Sequence, residues 1–302
     1  MYGAPGLRRY TVPMRTAVLL LFTTFAIVAA ACSRSDGYSQ NTPDDVLKTA
    51  RLMVERGQAD RLTSLIYSEN QDWQRLLKRT GVLLRNLQQL GAAINEKFPA
   101  DVAKLKAQAE EAAKKGQAPG LLQQFTGQRG GMARRNRIPS ADEQKRQQEA
   151  LTNAIRRLFA DPYAFLKEGA GHLTTQMVSD EVAAVLWDNQ PVLPPLGLTM
   201  KRDTVNGREG WYFVLPTNLP ILADYMPRTP DEFKVFGSLV ATLDNVVVDL
   251  IKDVRSGQLK SLDQVSTRAG EKVFIPAAMV LYAYNKTVEA RKKTATKTTV
   301  PK

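Results

Sequence analysis

The chain has 302 residues, with 42 Lys+Arg against 30 Asp+Glu, a formal net charge of +12, one His and one Cys. A single thiol cannot close an internal disulfide, and one His with one Cys cannot assemble a Cys/His zinc site, so a bound cation would need carboxylates. A hydrophobic fraction of 43% and a charged fraction of 24% are those of a globular chain.

The N-terminus carries Arg8, Arg9 and Arg15 and no acid, followed by an apolar run from Thr16 that ends in Ala29-Ala30-Ala31-Cys32. A positive start, a short apolar stretch and small residues before a cut site predict a secretory signal peptide over residues 1–31. The run from Thr16 to Ala31 has 16 residues. A helix of that length falls short of the roughly 20 residues that cross a bilayer.

Ala29-Ala30-Ala31-Cys32 resembles the lipobox of bacterial lipoproteins, with Ala29 where a larger aliphatic is commoner. The resemblance implies diacylation of Cys32 with palmitate-type chains, removal of residues 1–31, acylation of the new N-terminus and attachment to a membrane. Two or three acyl chains hold a protein stably where one holds marginally. Residues 32–41 then read as a lipidated polar tether. Ser33 lacks the Asp that retains enteric lipoproteins in the inner membrane, so the implied destination is the outer membrane where the cell has two. The Arg8-Arg9 pair is not followed by the bulky hydrophobic residues of a twin-arginine export signal, and ordinary secretion is expected.

Residues 42–285 predict one mostly helical body. Thr42-Pro43-Asp44-Asp45 is a helix start, with Thr as N-cap, Pro in the first turn and acids behind it. Gly57 stops that helix, and Leu62, Leu65 and Ile66 predict a short second one. Gln71 to Lys97 is the longest periodic stretch. Its broad stripe of Trp73, Leu76, Leu77, Leu83, Leu84, Leu87, Leu90 and Ile94 predicts bundle packing rather than a two-stranded seam. Ala100 to Lys115 is an alanine-rich helix. Residues 116–145, with Gly127, Gly130, Gly131 and Pro139, predict a loop, and residues 141–160 a further helix. A short helix follows Asp161-Pro162.

From Leu173 the period becomes strand-like. Residues 173–178, 182–187, 198–205 and 211–215 predict four strands of an antiparallel meander (173–215), with a hairpin at Asn206-Gly207 and Arg208–Gly210 as an extended turn. Thr229-Pro230-Asp231-Glu232 repeats the earlier helix start and forms a capping box. A helix to about Val254, shorter ones over 259–269 and 273–290 (the second kinked at Pro276), and a disordered basic tail over 286–302 complete the chain. The fold class expected is α+β, predominantly helical: a helical bundle with a small antiparallel β-meander.

The charge is uneven. The signal contributes +3, residues 114–146 contribute +6 and residues 286–302 contribute +5, leaving −2 for the remainder. Such a distribution does not predict a folded nucleic-acid surface. In an exported protein, Arg129, Arg134, Arg135, Arg137, Lys145 and Arg146 would meet anionic envelope polymer or lipid headgroups by charge; a solubilising loop is the plain reading.

Motifs for nucleophile elbows, phosphate loops or zinc-binding helices are absent. His172 stands alone in a Gly-rich spacer and reads as an exposed or satisfied histidine. Asp180/Glu181 and Asp44/Asp45 read as a turn and a helix N-terminus. Asp249 and Asp253, one turn apart, share a face of the 230–256 helix and Asp244 lies elsewhere on it, so they read as solvated rather than as a cation site. Trp187, Trp211 and Tyr212 could line a cleft against the sheet, although aromatics in half-buried strands usually form core.

The opening Thr42-Pro-Asp-Asp-Val-Leu, with Gly57-Gln-Ala-Asp-Arg-Leu, and the later Gly210-Trp-Tyr-Phe-Val-Leu215 resemble the first helical pair and a late strand of nuclear-transport-factor-2-like domains. The likeness covers about a third of the mature chain and implies a cone-shaped α+β fold without identifying pocket residues. The function expected is that of a non-catalytic, lipid-anchored envelope lipoprotein that binds or scaffolds another envelope component and needs no cofactor. The alternatives are a small-ligand-binding or hydrolytic domain with a cleft on the sheet, and an electrostatic binder acting through residues 129–146.

Overall fold

The computed structural model describes residues 37–114, 156–192, 197–215, 217 and 226–298. The chain divides into two compact units, 1–39 and 40–302, and only residues 37–39 of the first are described. Every described helix and strand belongs to the second unit.

Helix α1 (Pro43–Glu55) begins where Thr42 Oγ1 accepts the Asp45 N–H at 3.2 Å. It ends at Gly57, which adopts φ +75°, a conformation that a residue without Cβ takes at no steric cost. The predicted second helix is instead a 3-10 segment, Ala59–Leu65. Thr63 and Ser64 turn their hydroxyls back onto the Asp60 and Arg61 carbonyls (3.1 and 2.7 Å), local bonds that compete with an α-helical ladder.

Helix α2 (Gln71–Lys97) is capped by Asn70, which accepts from the Trp73 N–H at 3.0 Å. Helix α3 (Pro99–Lys114) follows, then a helical stretch at 156–160 and the short α4 (Ala164–Glu168). Helices α5 (Pro230–Arg255) and α6 (Leu262–Thr298) complete the helical part. The structure thus merges the two predicted C-terminal helices into one that passes through Pro276 and runs on to Thr298, past the point where a disordered tail was expected at 286. Pro276 costs α6 one backbone hydrogen bond but lies on its exposed side, away from the packed face.

Helices α2 and α5 pack on each other, as do α5 and α6. Leu90 and Ile94 of α2, Leu250 and Val254 of α5 and Val265 of α6 are all fully buried in one cluster, joined by Val102 and Ala160. The helices before and after the sheet therefore share a single core. Each such aliphatic residue contributes about 1.5–3 kcal/mol by leaving water. A second cluster joins Leu76 to Phe233 and Val240 nearer the start of both helices.

All four predicted strands form, as β1 (Leu173–Ser179), β2 (Val182–Trp187), β4 (Leu198–Val205) and β5 (Arg208–Val214), with a two-residue β3 (Gln190–Pro191) beside β2. The antiparallel order is β1-β2-β4-β5. The turn between β4 and β5 is tighter than expected: Val205 pairs with Arg208, so only Asn206 (φ 52°) and Gly207 (φ 75°) form it. A second two-residue turn, Asp188 (φ 48°) and Asn189 (φ 63°), joins β2 to β3. The outer edge of β5 is covered. The Trp211 N–H donates to the Gln40 carbonyl (2.8 Å), Gln40 Nε2 donates back to the Trp211 carbonyl (2.9 Å), and the Tyr67 N–H donates to the Phe213 carbonyl (2.8 Å).

Candidate functional site

The expected cleft residues do not converge. Trp211 and Tyr212 are neighbours on β5, and successive strand side chains point to opposite faces. Register places Trp211 across from Arg202, on the face that also carries Met200 and Val185, while Tyr212 stands across from Lys201 on the other face. Both are buried, at 4% and 2% exposure. Trp187 ends β2, paired with Leu173 on one side and Gln190 on the other. The period of two overrides the proximity in sequence that suggested a shared cleft. Burial raises the Tyr212 hydroxyl above its ordinary pKa, and its O–H donates to the Arg208 carbonyl at 2.6 Å.

A cleft of about 370 Å³ opens elsewhere, where the end of β5 meets the first turns of α2 and α5. Tyr67, Trp73 and Phe233 provide its aromatic wall, Val214 and Leu215 the end of the sheet, and Glu69, Asn70 and Arg228 its polar groups. Trp73 and Phe233 meet edge to face, with centroids 5.3 Å apart. Both helix starts are held by side-chain caps. Asn70 caps α2; at α5, Thr229 Oγ1 accepts the Glu232 N–H at 3.3 Å while Glu232 Oε2 accepts the Arg228 and Thr229 N–H groups at 2.7 and 3.2 Å. The accessible lining of the cleft is more polar than apolar, whereas small-molecule sites are mostly apolar.

Behind the cleft, Glu232 is fully buried and its Oε2 also accepts from Arg291 Nη1 of α6 at 2.8 Å. Its Oε1 has no hydrogen-bond partner among the described residues. Tyr284, beside this pair, has its hydroxyl pKa pushed up to about 12, by burial first and by the Glu232 charge second. On the sheet, Lys201 Nζ lies 2.6 Å from Asp203 Oδ2 and 4.8 Å from the centre of the Tyr67 ring. The hydrogen bond between them raises Lys201 and lowers Asp203 from their ordinary values.

His172 is a satisfied histidine. Its Nδ1 lies 2.6 Å from Asp188 Oδ1, and the ring stacks on Trp187 at 5.2 Å with 7° between planes. Both members of the pair are more than half exposed. Asp180 and Glu181 form the exposed turn between β1 and β2, and Asp44 accepts from Thr175 Oγ1 at 2.7 Å in the first turn of α1. The α5 aspartates are solvated only in part: the Asp249 side chain is 50% exposed and that of Asp253 16%. Lys272 of α6 lies 3.2 Å from Asp249 and 3.3 Å from Asp253, and Asn86 of α2 donates to Asp244 at 2.7 Å, so all three tie α5 to its neighbours. Among the described residues no three His, Cys, Asp or Glu side chains are grouped to hold a metal, and no helix is long and apolar enough to cross a membrane.

Cys32, the signal 1–31, loop 116–145 with Arg129, Arg134, Arg135, Arg137, Lys145 and Arg146, most of helix 141–160 and tail residues 299–302 lie outside the described residues. The aromatic cleft was missed by sequence reading. Its one local signal was the pair of helix starts, at Asn70 and Thr229, whose convergence depends on how α2 packs on α5. No protein-family model, curated protein or solved structure matches the chain.

Proposed function

We propose that the protein is an exported lipoprotein, anchored to the cell envelope through acylated Cys32, whose helical body binds another envelope component without catalysing a reaction. The observation that carries this reading is the placement of the chain's one cysteine directly after Ala29-Ala30-Ala31, at the end of a short apolar run behind three arginines. Two or more acyl chains are sufficient for stable attachment. Metabolic labelling with a palmitate analogue, comparing the wild type with Cys32→Ala, tests the attachment. Labelling of the wild type alone is expected; equal labelling of both would end the reading.

A second reading is favoured by the cleft between β5, α2 and α5. In it the body binds a small molecule whose ring or chain lies on Trp73 and Phe233 and whose polar group meets Arg228, Asn70 or Glu69. The likeness of residues 42–65 and 210–215 to nuclear-transport-factor-2-like domains belongs to this reading. Native mass spectrometry of the purified protein is its test: a bound small species lost in Trp73→Ala supports it, and identical spectra with no added mass remove it.

A further inference from the structure

Helix α2 turns a basic face to solvent. The 23 residues from Trp73 to Asn95 hold Arg75, Lys78, Arg79 and Arg85 and no Asp or Glu. Spacings of three and four residues place these cations, with Val82 among them, on one side of the helix. Arg75 is turned towards Asp72 in the same turn, with its side chain 74% exposed. Lys78, Arg79 and Arg85 are exposed, and among the described residues their charged groups make no hydrogen bond or ion pair. Charge is gathered here: residues 32–113 and 147–285 together carry −2, so with +4 over 73–95 the rest of them carries −6.

Packing keeps these cations apart from acids. A Cβ on Gly237 of α5 would lie 2.8 Å from Arg79 Nη1, so the guanidinium lies over α5 where a side chain is missing. Ala241, one turn on from Gly237, is exposed and brings no charge. Asp231 is held by Lys234 at 3.0 Å, and Asp244 accepts from Asn86 at 2.7 Å. Like charges one turn apart, as at Arg75 and Arg79, destabilise a helix, and an external anion relieves that repulsion.

The chemistry of the face selects the kind of anion. Among the described residues Val82, 37% exposed, is the one exposed large hydrophobic side chain of α2. Protein interfaces centre on buried aromatic or aliphatic anchors and are depleted in Lys, and single-stranded nucleic acid is held by aromatic stacking. A second copy meeting this face with its own would set cation on cation in either orientation. Phospholipid headgroups require neither anchor nor register, only charge held close to the surface. From Arg75 to Arg85 the row extends about 15 Å along the helix.

We infer that the α2 face formed by Lys78, Arg79 and Arg85, with Arg75 at its edge, docks on anionic phospholipid headgroups. The inference rests on the membrane-anchored reading above, which brings the body to such a surface; acyl chains and a basic patch together hold more firmly than either alone. Its test does not involve acylation.

In the full chain carrying Cys32→Ser, Lys78→Gln, Arg79→Gln and Arg85→Gln would be combined, since glutamine keeps a high helix propensity. A control chain would combine Lys48→Gln, Lys104→Gln and Lys106→Gln, which remove the same charge from exposed positions of α1 and α3. Binding would be measured by co-sedimentation with vesicles of phosphatidylethanolamine and phosphatidylglycerol, and of phosphatidylcholine alone. On the anionic vesicles the α2 triple variant is expected to bind more weakly by on the order of a hundredfold, about fivefold for each cation. The control is expected to change far less, and high salt to abolish the difference. No loss in the α2 triple, or an equal loss in the control, overturns the proposal. An equal loss on phosphatidylcholine overturns the choice of an anionic headgroup. Tighter binding to poly-glutamate in solution, lost in the α2 triple, assigns the face to an acidic polypeptide instead. Self-association in sedimentation velocity, lost in the α2 triple, assigns it to a second copy. Failure of this test leaves palmitate labelling at Cys32 untouched, and failure of that labelling leaves the vesicle result untouched. The three α2 positions are exposed, so their replacement does not disturb the core; circular dichroism of each variant verifies the fold.

Discussion

Arg291, near the C-terminal end of α6, donates from Nη1 to Oε2 of Glu232 in the first turn of α5 at 2.8 Å, with the carboxylate fully buried and the guanidinium side chain 18% exposed. One carboxylate oxygen thus serves the capping box of α5 and the docking of α6. Arg291→Met leaves the buried Glu232 carboxylate with only its two backbone N–H donors, and is expected to cost up to about 3–5 kcal/mol, the range for breaking a buried pair. Glu232→Ala, which also loses the cap, is expected to cost at least as much. Urea denaturation of both single variants and the double variant measures this, and a double variant less destabilised than the sum of the singles gives the coupling. A loss below about 0.5 kcal/mol in each, the size of an exposed pair, would show that the pair does not hold α6.

Tyr284 reports on the same contact. Its hydroxyl pKa of about 12 lies above the ordinary 10.0 because burial and the Glu232 charge oppose the phenolate. An acid raised on folding contributes stability that is complete below its unfolded pKa and is lost as pH rises through the folded one. Alkaline titration followed by near-ultraviolet absorbance is expected to lose one late-ionising tyrosine in Tyr284→Phe, while Tyr163 and Tyr212, which burial also raises, still ionise late. In Glu232→Gln the late step moves towards 10.0.

Two glycines in helices predict opposite signs. A Cβ on Gly81 would lie 2.6 Å from the Asp60 carbonyl oxygen, a backbone atom of the neighbouring 3-10 segment, whereas nothing lies within 4 Å of one on Gly270. Alanine is favoured over glycine inside a helix by about 0.8–1.0 kcal/mol. Gly270→Ala in α6 is therefore expected to stabilise by about that amount. Gly81→Ala in α2 is expected to destabilise, because the backbone must move to admit it. Thermal unfolding of the two variants settles both signs.

On the sheet, Asp203 is lowered from 3.8 chiefly by its hydrogen bond with Lys201, and Lys201 is raised from 10.5 by the same bond. A lowered carboxylate contributes stability that is present above its unfolded pKa and lost as pH falls through the folded one. A raised lysine contributes below its unfolded pKa, and the effect is lost as pH rises through the folded value. The pair's contribution therefore spans the neutral range and fades at both extremes, and partial exposure keeps it small. A carbon-detected titration is expected to place the Asp203 midpoint below 3.8, returning towards it in Lys201→Met.

What could be read locally proved legible. Thr42 and Thr229 cap their helices as their Thr-Pro-acid starts predict, and Asn206-Gly207 makes a two-residue hairpin, because caps and tight turns depend on residues within three or four positions. The α+β, mostly helical class followed from the change of period near Leu173. The length of α6 was less legible: Pro276 and the basic composition after Lys286 suggested breaks, but Tyr284 and Val288 are buried and Arg291 is tied to Glu232 of α5, which carries the helix onward.

Legible along the chain were the starts of α1 and α5, the Asn206-Gly207 hairpin, the distribution of charge, and the place of the single thiol behind an apolar run. These are matters of local chemistry and order along the chain. Which side chains meet depended on tertiary packing. It separated Trp211 from Tyr212 by the pleat of β5, brought Trp73 and Phe233 together across 160 positions, turned Asp249 and Asp253 onto Lys272, and left Ile275, Met279 and Tyr282 facing out. Each of these depends on packing between elements distant in sequence, where the burial of a neighbouring helix or strand, rather than local propensity, selects the face that is covered.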